Sequence, residues 1–468
     1  MTPSTFWSTD LKTNNSSGIW TDPHVGAFLN QTPFDWSRYG TWTEECNISS
    51  DIQYGPNGSQ RIPCAYNLTA FKLWCLSRSP RCHVIMPLPG ENNNSREDAS
   101  IAKFIVKTLG FQPDYFSVGN EPDLWKHYGI PWANWSYLDH RRPTPLAYAI
   151  DLRNAIGAVR AVDPSARFVG IEATCSCDSY QIGQVLHVDG PNISAVAYHS
   201  YPYRSTVTPT LQKFLDPLVG AGNVTSTYQH VRAAVNRQCP SCSGLPVFLN
   251  EFNAGPGWTP SVFNGTYANA LFLAASSIQA LRANVSQFTI FSLQSNQTSF
   301  GYSMMNGTSS VGPTGLLFSR LIDHLAMGSV YATHIVTNVP SVWSVLTENS
   351  SKASLFVVNA NLTRTVHLHL SPLILNGTTG DVYTWDPGNA SPKVVHGKIA
   401  GSYDVPPEGM LLVLVSPKAI HGPSPHPAAT IAVNPVPAVD REPRSPTGNG
   451  PPRAALPPFA RTARMEDP

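Results

Sequence analysis

The sequence predicts an α/β protein, a (β/α)8 barrel of the TIM type followed by a C-terminal antiparallel β-sandwich. Three observations carry that expectation. Between residues 67 and 328, short continuous apolar runs alternate with segments of helical period, the pattern of βαβ units feeding a parallel sheet. No Gly-rich phosphate loop follows any of the strands, so the rhythm is that of a barrel and not of a nucleotide-binding sheet. After residue 328 the helices stop, and short strands separated by Asn, Gly and Pro take their place.

The elements follow in order. A helical segment, AYNLTAFKLWCLSRSP, precedes the strand CHVIMPL and the helix REDASIAKFIVKTLG. The strand DYFSVGNEP leads to the helix TPLAYAIDLRNAIGAVRAVD, with Thr144 as the expected N-cap and Pro145 as the first helical residue. Strands RFVGIEAT, ISAVAYHSY, LPVFLNEFN and QFTIFSLQ come next with helices between them, and GLLFSRLIDHLA closes the series. These strands are apolar throughout, as strands covered on both faces must be. Six are visible where a barrel needs eight. Residues 1–66, rich in Asn, Ser, Trp and Pro, are expected to be an irregular N-terminal segment, and the barrel to lack its first one or two units. Residues 329–417 read as the sandwich, and the Pro-rich residues 418–468 cannot build a core and are expected to be disordered.

Composition narrows the function classes. The chain has 468 residues, 42% hydrophobic and 13% charged, with a net charge of +1, so nothing in its charge favours a nucleic-acid partner. No apolar run is long enough to span a bilayer. Asn-x-Ser/Thr acceptor sites are dense (Asn30, Asn47, Asn57, Asn67, Asn134, Asn223, Asn264, Asn361, Asn376 and Asn389 among them), and the eight cysteines are an even number. Both point to a secreted glycoprotein with structural disulfides. The first residues, MTPSTFWSTDLKTNNSS, lack the basic start and apolar stretch of a secretory signal, which is expected to lie upstream. CSC at Cys175 and Cys177 and CPSC at Cys239 and Cys242 lack a second ligand pair at zinc-finger spacing and read as disulfide cysteines. No metal or cofactor is expected.

In a βα-barrel the chemistry collects at the C-terminal ends of the strands. Two strand ends carry the same pair, Asn120-Glu121 in VGNEPDLW and Asn250-Glu251 in FLNEFNAGPG. They lie three strands apart, the fourth and seventh if two units precede those visible. Glutamates at those positions face each other across the barrel mouth. Two carboxylates at roughly 5–5.5 Å are what a retaining glycosidase uses, one as proton donor and one as nucleophile. A single glutamate after a strand is more often a loop residue or a helix cap; two matching pairs are much harder to obtain by accident.

VGNEPDLW, AYHSYPY and FLNEFNAGPG, in that order and followed by a sandwich, resemble glycoside hydrolase family 79, the β-glucuronidases and heparanase. The likeness spans about residues 67–417, and its NEP motif specifies the larger clan of retaining barrel glycosidases better than the family. The resemblance implies Glu121 as general acid/base, Glu251 as nucleophile and Asn120 on the sugar 2-hydroxyl. It further implies His199 and Tyr201 in the sugar pocket, with Gly255, Gly257 and Tyr302 around a substrate carboxylate. The family's Gly-Gly-Asn motif has no counterpart here, Pro256 interrupts the small-residue turn, and basic clusters for a sulfated polymer are absent. A secreted β-glucuronidase acting on a simple uronide is the expectation. The alternatives are an arabinofuranosidase or xylosidase of the same clan, or a non-catalytic secreted carbohydrate-binding protein on a remnant barrel.

Overall fold

The computed structural model describes residues 7–10, 23–32, 34–38, 46–47, 52–53, 64–77, 83–90, 93–125, 145–176, 179–203, 210–255, 263–294, 303–325, 328–331, 339, 341–370 and 378–419. Eight parallel strands close into a barrel: β1 Trp7–Asp10, β2 Trp36–Arg38, β3 His83–Leu88, β4 Tyr115–Val118, β5 Phe168–Ala173, β6 Ala195–Ser200, β7 Val247–Phe252 and β8 Gln287–Ile290. The ring is sealed where β1 pairs with β2 on one side and β8 on the other. A helix follows each strand: α1 Pro23–Gln31, α2 Cys64–Ser77, α3 Ser95–Lys103, α4 Leu146–Val162, α5 Ser179–Asp189, α6 Val224–Gln238, α7 Tyr267–Arg282 and α8 Pro313–His324.

The expected loss of the first barrel units is therefore corrected. The two strands not recognised are β1 and β2, inside the segment expected to be irregular. They escape notice because they read WSTD and WSR, with no apolar run. The polarity of β2 has a structural reason. Trp36 enters the barrel floor with Ile85, Tyr115, Val169, Ala195, Ala197 and Phe248, whereas Arg38, two residues on and on the same face, meets buried carboxylates. The floor is an aromatic layer, with Trp36 stacked on His83 at 4.8 Å and Phe248 edge-on to Tyr115 at 5.5 Å.

Between barrel and helices lies the main apolar layer. α7 is buried along nearly its whole length, because β7 and β8 cover one side and the sandwich the other. At the start of α4 the expected cap differs: Pro145 occupies the N-cap position and the helix begins at Leu146, while Thr144 lies outside the described residues.

The sandwich has a six-stranded antiparallel sheet, in spatial order β9 Ser329–Tyr331, β10 Val342–Glu348, β11 Ala353–Asn359, β16 Gly409–Val415, β13 Thr379–Trp385 and β14 Lys393–Lys398. A two-stranded sheet, β12 Val366–His369 with β15 Ser402–Val405, packs on one face. Alternate residues of β11 divide between the two cores: Leu355 and Val357 pack toward β12 and β15, and Phe356 and Val358 toward the barrel helices. Tyr267 of α7 donates a hydrogen bond to the Glu408 carbonyl and ties the two layers together. The expected strand ATHIVT and the Pro-rich tail lie outside the described residues.

Cys239 and Cys242 form a disulfide, which packs on Gly190 so closely that a Cβ there would lie within 2.5 Å of both sulfurs. Cys75 and Cys175 each belong to a further disulfide. No helix among the described residues is long and apolar enough to cross a membrane.

Candidate active site

The site lies where β2, β4, β5, β6 and β7 end. After β4 the chain turns sharply: Gly119 has φ +69° and Glu121 φ +48°, both left-handed. For Gly119 this is a requirement. A Cβ there would sit 2.2 Å from the Trp125 ring, which wedges beneath the turn and donates its indole N–H to the Asn120 carbonyl at 2.7 Å. Trp125 is buried, so it packs this turn. Trp132, Trp135 and Tyr128, the other aromatic residues that follow Glu121, lie outside the described residues. Glu121, a residue type that rarely adopts positive φ, is held by its N–H donating to the Glu172 carbonyl at 3.0 Å and by its own carbonyl accepting from Leu124.

At the end of β7 the side-chain alternation breaks. Phe248 points into the barrel floor and Leu249 into the outer layer, but Asn250 and Glu251 both enter the mouth before Phe252 returns outward. The register against β6 slips at the same place, with Tyr198 opposite Leu249 but His199 opposite Glu251. The bulge is what allows a consecutive Asn-Glu pair to serve one site.

The geometry brings both glutamates together. Oxygen atoms of Glu121 and Glu251 and a nitrogen of His199 all lie within 4.8 Å of one another. Glu251 is ringed by donors: Arg38 gives it one N–H at 2.6 Å and Tyr201 its hydroxyl at 2.8 Å. Such an environment favours a carboxylate that stays ionised. Glu121 is somewhat more open and pairs with His199 Nδ1 at 2.9 Å.

His199 is fully buried, and its Nδ1 is also 3.4 Å from Glu251. Burial pulls the imidazole pKa down, but the Glu251 charge and the hydrogen bond and charge of Glu121 outweigh it, against some opposition from Arg38; the net direction is up. The His199 ring thus sits with its Nδ1 between the two glutamates, whose charges are what raise its pKa. Its Nε2 is buried with no hydrogen-bond partner among the described residues, so its polar contacts are those that Nδ1 makes with the two glutamates. Glu121, His199 and Glu251 are also the set among the described residues that offers three ligand atoms to a cation, and the Nδ1 proton competes for that space.

Asn120 accepts a hydrogen bond from Arg38 at 2.6 Å through its side-chain oxygen. Arg can only donate, so the amide's orientation is fixed and its NH2 remains to donate outward. Gly255 is buried four residues past Glu251; Gly257, Pro256 and Tyr302 lie outside the described residues.

Sequence reasoning missed Arg38 and Glu172. Both are buried, and Glu172 accepts two hydrogen bonds from Arg38 and one from the Asn250 amide. A signal for Glu172 was present, since a charge inside the otherwise apolar strand RFVGIEAT needs a buried partner. Arg38 had none, as WSR does not read as a strand.

No protein-family model matches the chain, and no curated protein matches it in sequence. Solved structures do match in fold. A family 51 α-L-arabinofuranosidase from Bifidobacterium longum aligns over 89% of this chain and 96% of its own, with a TM-score of 0.64 and 14% identity. The α-L-arabinofuranosidase of Thermotoga maritima aligns over 89% and 97%, at 0.63 and 12%. A monomeric β-xylosidase from Caulobacter crescentus CB15 aligns over 89% and 97%, at 0.60 and 12%. The chain thus shares the overall fold of these solved glycosidases over most of its length.

Proposed function

We propose that the protein is a retaining glycoside hydrolase, with Glu251 as nucleophile and Glu121 as general acid/base. The observation that carries this reading is that the two glutamates meet at the barrel mouth with an oxygen of each within 4.8 Å of the other, a close approach of the kind a retaining pair at roughly 5–5.5 Å requires. Glu251 attacks the anomeric carbon while Glu121 gives its proton to the leaving oxygen. Glu121 then takes a proton from water, which cleaves the glycosyl ester on Glu251 and restores both residues. The donors Arg38 and Tyr201 hold Glu251 for attack, and the outward NH2 of Asn120 addresses the sugar 2-hydroxyl. The closed barrel removes the main argument for a non-catalytic remnant, which was the missing strands.

For the sugar, the resemblance to family 79 favours a terminal β-glucuronide, with Gly255, Gly257 and Tyr302 around its carboxylate. A second reading is an arabinofuranoside or xyloside, favoured by the printed activities of the structural neighbours. The density of glycosylation acceptor sites and the disulfides support a secreted protein. Aryl glycosides of glucuronic acid, arabinofuranose and xylose separate the two readings, since a pocket built for a uronic acid loses most of its turnover when C5 lacks a carboxylate. Glu121→Gln and Glu251→Gln must each abolish hydrolysis of whichever substrate is turned over; retained activity in either variant sinks the assignment.

A further inference from the structure

Glu172 is a buried carboxylate that the two-glutamate chemistry does not use. It closes a network around the nucleophile. Arg38 donates to its two oxygens at 2.6 and 3.3 Å, and the Asn250 amide donates to one of them. A guanidinium is a rigid planar fork. With two of its N–H groups on Glu172, the remaining directions are set: one nitrogen reaches Glu251 at 2.6 Å and another Asn120 at 2.6 Å. Arg38 therefore aims at the two residues that meet the substrate only while Glu172 holds it.

The backbone is built to put Glu172 there. Val169 faces the barrel floor and Gly170 faces outward against Ile193, where a Cβ would come within 2.5 Å. Ile171 would be the next inward residue; instead it joins the outer layer and Glu172 turns in. The register against β6 slips over the same residues, with Gly170 opposite Val196 and Ala173 opposite Tyr198. Ile171 has φ +63°, a left-handed conformation that is costly for a β-branched side chain. Strain of this kind persists only where the surroundings impose it, and what it delivers here is one carboxylate facing inward.

We propose that Glu172 is a positioning residue for the nucleophile: it orients Arg38 and Asn250 and shares the guanidinium charge, so that Glu251 is held in place without being over-neutralised. This rests on the retaining-glycosidase reading. The test compares the full chain with Glu172→Gln, which keeps the shape and removes the charge, and with Glu172→Asp, which keeps the charge and shortens the reach. The pH dependence of kcat and KM is measured, and the crystal structure of each is solved. For Glu172→Gln, kcat falls about 10- to 100-fold with KM within threefold. The acid limb of its profile moves to lower pH, because the Arg38 charge is then no longer shared between Glu251 and Glu172. Glu172→Asp loses kcat with the acid limb in place, and it decides the matter should Glu172→Gln not fold. An unmoved acid limb in Glu172→Gln, or a kcat per folded molecule within threefold of wild type in Glu172→Asp, overturns the proposal. If the wild type hydrolyses no glycoside, the catalytic reading fails separately. The structures then decide: Arg38 displaced from Glu251 supports positioning by Glu172, and Arg38 unmoved refutes it.

Discussion

Arg38→Met isolates what the buried guanidinium does for the fold. In the wild type Arg38 is 0% exposed and contacts Glu172 at 1% and Glu251 at 4%. Methionine fills comparable space but leaves two carboxylates without their cation. Breaking a buried pair in this way costs about 3–5 kcal/mol, which at about 2 °C per kcal/mol for a large chain is a fall in Tm of roughly 6–10 °C at neutral pH. The pH dependence is the sharper part. In the variant the folded carboxylates resist ionisation, so their pKa values rise above the unfolded value of about 4.3. Below that value both states hold the protons and no penalty remains. As pH rises through the raised folded values the penalty grows to its full size. Differential scanning of wild type and variant from pH 4 to 8 should therefore give two Tm curves that converge in acid and separate toward neutrality. A constant difference across the range would refute the reasoning, because it would mean lost packing and not unpaired charge.

Three further outcomes follow from named contacts. The raised folded pKa of His199 means that its contribution to stability is complete below the unfolded value of about 6.5 and is lost as pH rises through the folded value; urea titrations should find wild type losing stability over that window and His199→Asn losing less. Tyr201→Phe removes a 2.8 Å hydrogen bond to the Glu251 carboxylate, worth about 1.5–3 kcal/mol, so hydrolysis kinetics should give a kcat lower by roughly 10- to 100-fold, and an unchanged kcat would exclude Tyr201 from the nucleophile's support. Gly119→Ala meets both a left-handed backbone and the Trp125 ring, so expression and Tm should fall sharply, whereas Gly157→Ala, with open space around it, should be neutral or stabilising.

Much of this architecture could be read from the sequence wherever burial speaks through apolar runs. The six apolar barrel strands announce themselves because both of their faces are covered, and the two Asn-Glu pairs stand out as charges at the ends of such runs. β1 and β2 were invisible for the opposite reason. A three-residue strand that sends a tryptophan to the floor and an arginine to the mouth carries no hydrophobic pattern, so the barrel read as open when it is closed. The site was half legible on the same grounds. Glu121 and Glu251 follow from position along their strands, but Arg38 becomes meaningful only once β2 is beside β3 and its side chain meets Glu172, 134 residues away, and Glu251, 213 away. The inward turn of Glu172 depends on a bulge at Ile171, and a propensity argument would place that isoleucine in ordinary extended backbone.

The central claim is that Glu251 forms a covalent bond to the sugar. Incubation with a 2-deoxy-2-fluoro glycoside bearing a good leaving group slows the second step and lets the intermediate accumulate, and its mass is read on the intact protein and on peptides. The account predicts an increase of one fluorosugar, located on the peptide at Glu251 and absent from Glu251→Gln. Hydrolysis that proceeds without any adduct, or an adduct on a residue other than Glu251, would contradict it.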